Sequence, residues 1–461
     1  MTKTHKAKRE VPTRPRGTRD LLGNVFYNFQ GFFEKAADIA HYYGFSPIET
    51  PILEKEEVFT SGVGTHTDIV QKKMYTLRVR GGEKLALRPE GTASIMRAYL
   101  EGGMHTMPQP VLLYYYGPFF RHDKPQRGRF REFFQFGLEA LGSSKSIVDA
   151  MIIQVTTTIL KEAGLKNVCV LINTIGDRDC RPEYIRELAL YYRKHLSSIC
   201  PHCRQRIKVN PLRLLDCKDE RCLPFKEEAP QMLGFVCTAC KEHFKEVLEY
   251  LEAMRVHYEI DHSLVRGIDY YARTVFEIID DEERCQTKEK EKGEKKKETG
   301  EDKAETQEEK KEEKALPSLV VASGGRYDGL GKQLGGKKDV PAIGVAIGVD
   351  RVLEIGETHL LSPRILKKPK IYFIQIGFEA KLKSLQVIEI LRKARIPIMH
   401  TLNKDKLSVQ LALAEKSKVP LTLIIGQKEA LENTVIVRDM TTRSQETVKI
   451  EKLADYVKKK I

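Results

Sequence analysis

Residues 114–142 read YYYGPFFRHDKPQRGRFREFFQFGLEALG. Two runs rich in aromatic and apolar residues, 112–120 and 130–138, flank a hydrophilic turn at 122–128. Runs of this kind, bounded by Pro and Gly, predict the two strands of an antiparallel hairpin with a long loop. Arg121, Lys124, Arg127, Arg129 and Arg131 crowd the hairpin, and Glu132, Gln135 and Glu139 lie along its return strand. Strands do not need that much charge. A polyphosphate site does, because Arg offers a planar fork of donors to phosphate oxygens. On these residues alone the competing explanation is a solvated cationic hairpin.

Upstream, residues 24–43 place apolar side chains at helical spacing and Gly44 follows as a stop, which predicts an amphipathic helix. FSPIETP (45–51) is held extended by its prolines, either as a dimer-forming edge or as an ordinary connector. Residues 74–80 and 83–88 alternate around Gly81 and Gly82, a hairpin that runs into LRPEGT (87–92). That turn presents the Glu90 carboxylate and the Thr92 hydroxyl at a strand end; a capping arrangement, with Thr92 as N-cap of a helix over 93–100, is equally compatible.

Downstream come a helix (146–163), a strand (168–173) and a helix (182–196). LVRGIDYYARTVFEII (264–279) ends as a strand and sets Arg266, Asp269, Tyr270 and Tyr271 beside a glycine, as a contacting loop or as a wet strand edge. After a strand at 319–322, SGGRYDGL (323–330) resembles a ligand-cradling turn. PAIGVAIGVDRVLE (341–354) is a strand turning into a helix, with Arg351 in the first turn. There it would complement a polyphosphate or stand as a plain surface Arg.

The 461 residues suggest about three domains. A formal charge of +14 and a pI near 9.1 favour polyanionic partners, nucleic acid first among them. No run is long and apolar enough for a membrane span. The N-terminal stretch is basic without an apolar core, so residues 1–12 are expected to be a flexible tail on a cytoplasmic protein. The Lys/Glu run at 282–315 lacks apolar residues and is expected to be a disordered insert. Its 13 acidic residues outnumber its 11 basic ones over 282–314, which argues against a nucleic-acid grip. Residues 369–461 follow a βαβαββα order, a separate α/β domain without a nucleophile or metal constellation.

Six of the nine cysteines fall between Cys200 and Cys240, which suits metal ligands better than a disulfide framework. Two C-x2-C pairs can close a four-thiolate structural zinc site on Cys200, Cys203, Cys237 and Cys240. Cys217 and Cys222 can substitute for either pair or serve a second, incomplete site, and reduced thiols in a small helical subdomain are the alternative.

Taken together the chain resembles the class II aminoacyl-tRNA synthetases, and within them the histidyl-tRNA synthetase family. The resemblance rests on FSPIETP (45–51), LRPEGT (87–92), FFRHDKPQRGRFREFFQFGLE (119–139), LVRGIDYYARTVFE (264–277) with ASGGRYDGL (322–330), and AIGVAIGVDR (342–351), with RGTRDLLG (16–23) also fitting. It implies an α+β fold: an antiparallel sheet flanked by helices, a small helical Cys-rich insertion and a C-terminal α/β anticodon-binding domain. The catalytic core would occupy 13–177 and 256–362, the insertion 178–255 and the anticodon-binding domain 369–461.

The resemblance also implies ligation of L-histidine to tRNA(His) through histidyl-adenylate, by a homodimer that uses ATP with Mg²⁺. In that pattern Arg121, Arg266 and Arg351 are catalytic, with Arg129 a further ATP contact. Glu90, Thr92 and Gln135 bind the ammonium group, Glu139 and Tyr271 the imidazole, and Tyr270 adds to the histidine pocket. Lys124, Gln126 and Arg127 lie near the tRNA acceptor end. Asp123 and Asp350 depart from the family's usual Glu, and Phe134 from a frequent His. Competing readings are a non-catalytic relative, such as a regulatory subunit of ATP phosphoribosyltransferase or the synthetase-like domain of a stress kinase, and a generic basic RNA-binding protein.

Overall fold

In the computed structural model, which describes residues 11–65, 67–126, 128–281, 319–357, 361–366 and 369–460, the aromatic hairpin lies inside an eight-stranded sheet. The chain forms two units, 1–363 and 364–461. The strands of the first are β1 (Ser46–Pro47), β2 (Leu53–Lys55), β3 (Tyr75–Arg78), β4 (Lys84–Leu87), β5 (Val111–Phe120), β6 (Glu132–Leu141), β7 (Val168–Thr174), β8 (Tyr258–Ile260), β9 (Ala272–Asp280), β10 (Val320–Arg326) and β11 (Ala342–Gly348). The large sheet runs β1-β5-β6-β11-β10-β9-β7-β8, and β2-β4-β3 make a small one. Only the outermost pairs of the large sheet, β1 with β5 and β7 with β8, are parallel.

Alternation along β5 decides which face does what. Leu112, Tyr114 and Tyr116 pack against a core shared with Phe29, Phe32, Ile152, Val155 and Val247. Those residues come from the helices Asn24–Tyr42, Ser146–Glu162 and Thr238–Ala253. Leu113, Tyr115 and Phe119 face the other way, with Ala93 and Met96 of the helix Thr92–Glu101. The β5–β6 register pairs Leu113 with Glu139, Tyr115 with Gly137 and Gly117 with Gln135. Because strand side chains alternate with period two, Gln135 and Glu139 of the return strand share a face with Tyr115, and the face packed on the three long helices stays apolar from Phe134 to Ala140.

The paired glycines of ASGGRYDGL do not form a turn, although Gly329 does. Gly324 and Gly325 lie within β10, and a Cβ on Gly324 would collide with the Gly344 carbonyl of β11 and crowd the Phe276 ring at 2.7 Å. Glycine is needed there for close strand packing, not to cradle a ligand. The next residue, Arg326, is fully buried and paired with Asp149, with Asp328 at 3.1 Å and the Ser143 carbonyl at 2.8 Å. His243 Nε2 lies 2.8 Å from the same Asp149, so one buried carboxylate joins the sheet to two helices. Arg326→Met would strand that charge. A loss of roughly 3–5 kcal/mol is expected, read as a lower urea midpoint, because removing one partner leaves the other buried and uncompensated.

The second unit carries β12 (Ile371–Gln375), β13 (Ile398–His400), β14 (Leu421–Ile425), β15 (Thr434–Asp439) and β16 (Gln445–Lys449), ordered β13-β12-β14-β15-β16. The first three are mutually parallel and the last two antiparallel. The central strands β12 and β14 are buried at every position, as parallel strands covered on both faces must be. A helix at Gln427–Glu432 and the edge strand β16 add to the order expected from sequence. QETVK is mostly polar and exposed, so no alternating apolar face announced it. The basic tail to residue 10 and the Lys/Glu run from 282 to 318 lie outside the described residues.

Candidate active site

A cleft of about 400 Å³ opens on the polar face of the large sheet, lined by Glu90, Thr92, Tyr115, Arg121, Arg129, Gln135, Arg266, Tyr270, Tyr271 and Arg351 among others. Five arginines line this one space: Arg121, Arg129, Arg266, Arg351 and Arg213 of the insertion. Arg121 leaves the end of β5 and donates from Nε to the Pro89 carbonyl at 2.8 Å. Arg351, in the first turn of the helix Val349–Ile355, donates to the Val320 carbonyl at 2.5 Å and to the Gly128 carbonyl at 3.4 Å. Arg266 pairs with Glu277 of β9 and donates to the Ser323 hydroxyl of β10 at 2.9 Å, which leaves its buried Nε without a partner among the described residues. Burial pulls the Arg351 pKa down, and Arg129 and Arg121 add repulsion. Burial also lowers Arg121, with Arg266 opposing Glu90 and Asp123. Such a concentration of like charge in partly desolvated surroundings is favourable only toward a polyanion.

The carboxylates are held separately. Glu90 accepts from the backbone N–H groups of Thr92 (2.8 Å) and Ala93 (2.9 Å) and from the Tyr270 hydroxyl at 3.3 Å. Glu90 therefore caps the helix, and the expected Thr92 cap is not used: the helix starts at Thr92, whose hydroxyl donates instead to Glu139 at 2.7 Å. A carboxylate reaching forward onto free N–H groups also complements the helix dipole. Glu139 is fully buried and also accepts from the Tyr327 hydroxyl. Burial raises its pKa to about 8 despite the Tyr327 and Thr92 hydrogen bonds, with nearby Glu90 adding to the rise. Burial likewise raises Glu90, against its two backbone donors. Gln135 Oε1 is buried with no hydrogen-bond partner among the described residues, an unspent acceptor in the cleft wall.

Over 448 residues the chain is 37% identical to a histidine–tRNA ligase of Desulforamulus reducens, covering 97% of this chain and 99% of that protein. The chain belongs to the histidine–tRNA ligase family. A histidine–tRNA ligase of Caldicellulosiruptor saccharolyticus is also 37% identical, over 97% of this chain and 99% of its own length. The family model described as histidyl-tRNA synthetase matches residues 17–179, and one described as an anticodon binding domain matches 370–460. Among solved structures, apo histidyl-tRNA synthetase of S. aureus superposes with a TM-score of 0.74 at 27% identity, covering 97% of this chain and 99% of that one.

Of the residues anticipated for a histidine–tRNA ligase, Arg121, Arg129, Arg266, Arg351, Glu90, Thr92, Gln135, Tyr270 and Tyr271 line the one cleft. Glu139 stands behind that lining, reached through Thr92 and Tyr327. Lys124 and Gln126 belong to the hairpin loop, outside the cleft; Gln126 bridges back to Arg129 through paired backbone hydrogen bonds. Arg127 lies outside the described residues. Two of the three family departures, the aspartates, have structural uses. Asp123 pairs with Lys73 at 2.8 Å. Asp350 accepts from the Phe134 N–H at 2.7 Å and pairs with Arg19, which ties the helix carrying Arg351 to β6.

The expected zinc set of Cys200, Cys203, Cys237 and Cys240 is not brought together. Cys200 and Cys203 gather with Cys217 and Cys222, whereas Cys237 and Cys240 gather with Asp177 and Cys180. The first pair closes locally within the insertion. The second begins the helix that returns to the sheet, and so meets the loop after β7 instead.

Several residues in the cleft wall and behind it were not anticipated. Tyr115 packs its ring over Gly137, where a Cβ would overlap it. Tyr327 supports Glu139, while Glu277 and Ser323, opposite one another on β9 and β10, hold Arg266. Arg213 of the insertion reaches the cleft and pairs with Asp68 at 2.5 Å. Tyr115 was recognisable in principle, since it alternates onto the face of Gln135 and Glu139 once the hairpin register is known.

Proposed function

We propose that this chain activates L-histidine with ATP to histidyl-adenylate and then transfers the histidyl group to the 3′ end of tRNA(His). The observation that carries the reading is the convergence of Arg121, Arg129, Arg266 and Arg351 on one cleft beside a buried Glu/Gln/Tyr cluster. In the first step a histidine carboxylate oxygen attacks the α-phosphorus, the bond to the bridging oxygen breaks, and pyrophosphate leaves with that electron pair. Negative charge builds on the α-phosphoryl oxygens, so positioning and fixed positive charge supply most of the catalysis. Arg121 holds the α-phosphate, Arg351 and Arg129 the outer phosphates, and Arg266 spans the carboxylate and the α-phosphate. Mg²⁺ enters with ATP as part of the substrate.

Glu90, Thr92 and Gln135 receive the ammonium group, and the vacant Gln135 acceptor suits that task. Tyr271 and Glu139 bind the imidazole, with Tyr270 orienting Glu90. In the second step a ribose hydroxyl of the terminal nucleotide attacks the carbonyl carbon and AMP departs. The hairpin loop with Lys124, Gln126 and Arg127 faces the acceptor end, and the second unit binds the anticodon stem-loop through positive charge and stacking. We assign the protein to the cytoplasm and to a homodimer, for which the short, exposed edge strand β1 supplies a border.

Histidine-dependent exchange of labelled pyrophosphate into ATP tests the reading. Purified chain should catalyse it and require no tRNA. A folded preparation without exchange would return the chain to the non-catalytic relatives, which the full-length ligase relatives make less supported.

A further inference from the structure

We infer that the chain holds two separate zinc ions, one inside the insertion and one clasping the insertion's neck to the catalytic sheet. The first centre is Cys200, Cys203, Cys217 and Cys222, all buried, with ligand atoms within 4.8 Å of one another. The second is Asp177, Cys180, Cys237 and Cys240, within the same limit. A tetrahedral zinc with Zn–S bonds of about 2.3 Å places its sulfurs about 3.8 Å apart. Cys200 Sγ and Cys217 Sγ lie 3.9 Å apart, and so do Cys180 Sγ and Cys240 Sγ. A disulfide needs a separation of about 2.05 Å, so these pairs are not bonded to each other.

The surroundings fit thiolates. Backbone N–H groups point at sulfur in both clusters: Cys203 N to Cys200 Sγ at 3.4 Å, Cys200 N to Cys222 Sγ at 3.3 Å, and Asp177 N to Cys180 Sγ at 3.3 Å. Asp177 supplies the oxygen ligand, with Oδ2 3.0 Å from Cys240 Sγ and Oδ1 3.4 Å from Cys180 Sγ. Three thiolates and a carboxylate around a divalent ion leave two negative charges. Arg273, 3.4 Å from Asp177, and Arg181 next to Cys180 stand ready to offset them. Asp-x2-Cys thus takes the place of one C-x2-C pair. With four protein ligands each, both centres are closed and structural.

Position gives the second centre its consequence. Asp177 and Cys180 lie where the chain leaves β7, and Cys237 and Cys240 where it re-enters the helix leading back to β8. The same neck is hydrogen-bonded to the Tyr271–Arg273 segment: Arg181 donates to the Tyr271 carbonyl at 2.7 Å, Arg273 N to the Gly176 carbonyl at 2.7 Å, and Ile175 N to the Arg273 carbonyl at 2.8 Å. A zinc here braces the start of β9, directly after Tyr271, without touching the cleft.

Elemental analysis of the full-length protein, purified without chelator, should find about two zinc ions per chain. Cys222→Ser and Cys240→Ser should each retain about one. Hydrogen exchange at Ile175 and Arg273 should quicken in Cys240→Ser and stay unchanged in Cys222→Ser. Where a Cys variant does not fold, Asp177→Asn keeps all thiolates and should fall to about one zinc on dialysis against EDTA under conditions in which the parent keeps two. One zinc or none in the parent overturns the proposal. So does zinc content indifferent to Cys240→Ser and Asp177→Asn, which would leave reduced thiols at the neck.

Discussion

Arg266→Ala should lower kcat for histidine-dependent pyrophosphate exchange by about 10²–10³-fold, the usual consequence of removing one preorganised donor from a developing oxyanion. Its guanidinium is fixed on three sides before any substrate arrives: Glu277 on one nitrogen, Ser323 on another, and the Tyr271 ring 5.6 Å from its carbon. Burial by itself would lower the Arg266 pKa, but Tyr271 and Glu277 outweigh it and keep the group firmly charged. Fixing both charge and orientation in advance means that no reorganisation is needed as the α-phosphoryl group takes on charge. Arg266→Lys should rescue little, because one ammonium cannot meet Glu277 and Ser323 and still span two substrate groups. Unchanged far-UV circular dichroism and tRNA affinity would show that the variant is folded. If the folded Ala variant kept exchange within tenfold of the parent, Arg266 would have to be assigned to structure and the catalytic charge sought in Arg121.

How far this site could be read from sequence depends on what each residue requires. Arg121 and Arg351 were accessible because they sit at the end of a strand and the start of a helix marked by local pattern, and Arg266 because it stands in a Gly-containing loop; family motifs joined the three. Glu277 and Ser323 were not, because their role arises from the β9–β10 register, and that pairing spans residues 281–319, a stretch no local signal measures. The glycines of β10 misled for a different reason: glycine serves equally for a ligand approaching backbone and for another strand doing so, and only the neighbouring Gly344 carbonyl and Phe276 ring distinguish them. The cysteines show the same limit. C-x2-C spacing singles out the two pairs but not their neighbours: Asp177 carries no spacing signature, and it meets Cys237 and Cys240 across a whole subdomain. Arg326 was hidden as well, since a buried Arg is indistinguishable from an exposed one until Asp149 is placed against it.

Glu139→Gln should raise KM for histidine by roughly 10- to 100-fold with KM for ATP unchanged, because a hydrogen bond to a charged group contributes about 1.5–3 kcal/mol. The structure sharpens why. With no imidazole present, Glu139 spends its oxygens on Thr92 and Tyr327, and burial raises its pKa to about 8, so at neutral pH it holds a proton. Imidazole bound nearby can take that proton and become the cationic partner a buried carboxylate lacks, which couples recognition to ionisation. The stability of the empty enzyme carries the same signature. An acid whose folded pKa lies above its ordinary value leaves the fold intact below that ordinary value, near 4.5, and costs stability as pH rises toward about 8, since the native state binds the extra proton. The amide that replaces the carboxyl in the variant does not titrate. The stability of the parent relative to the variant should therefore fall between pH 5 and pH 8.5, by on the order of 3 kcal/mol, since each pKa unit is worth about 1.4 kcal/mol. Urea unfolding of both proteins across that range isolates the term, because every other titrating group is common to the pair. Parallel pH profiles would mean that Glu139 is already ionised in the empty pocket. The KM change would then have to come from lost charge alone, with no proton passed to the substrate.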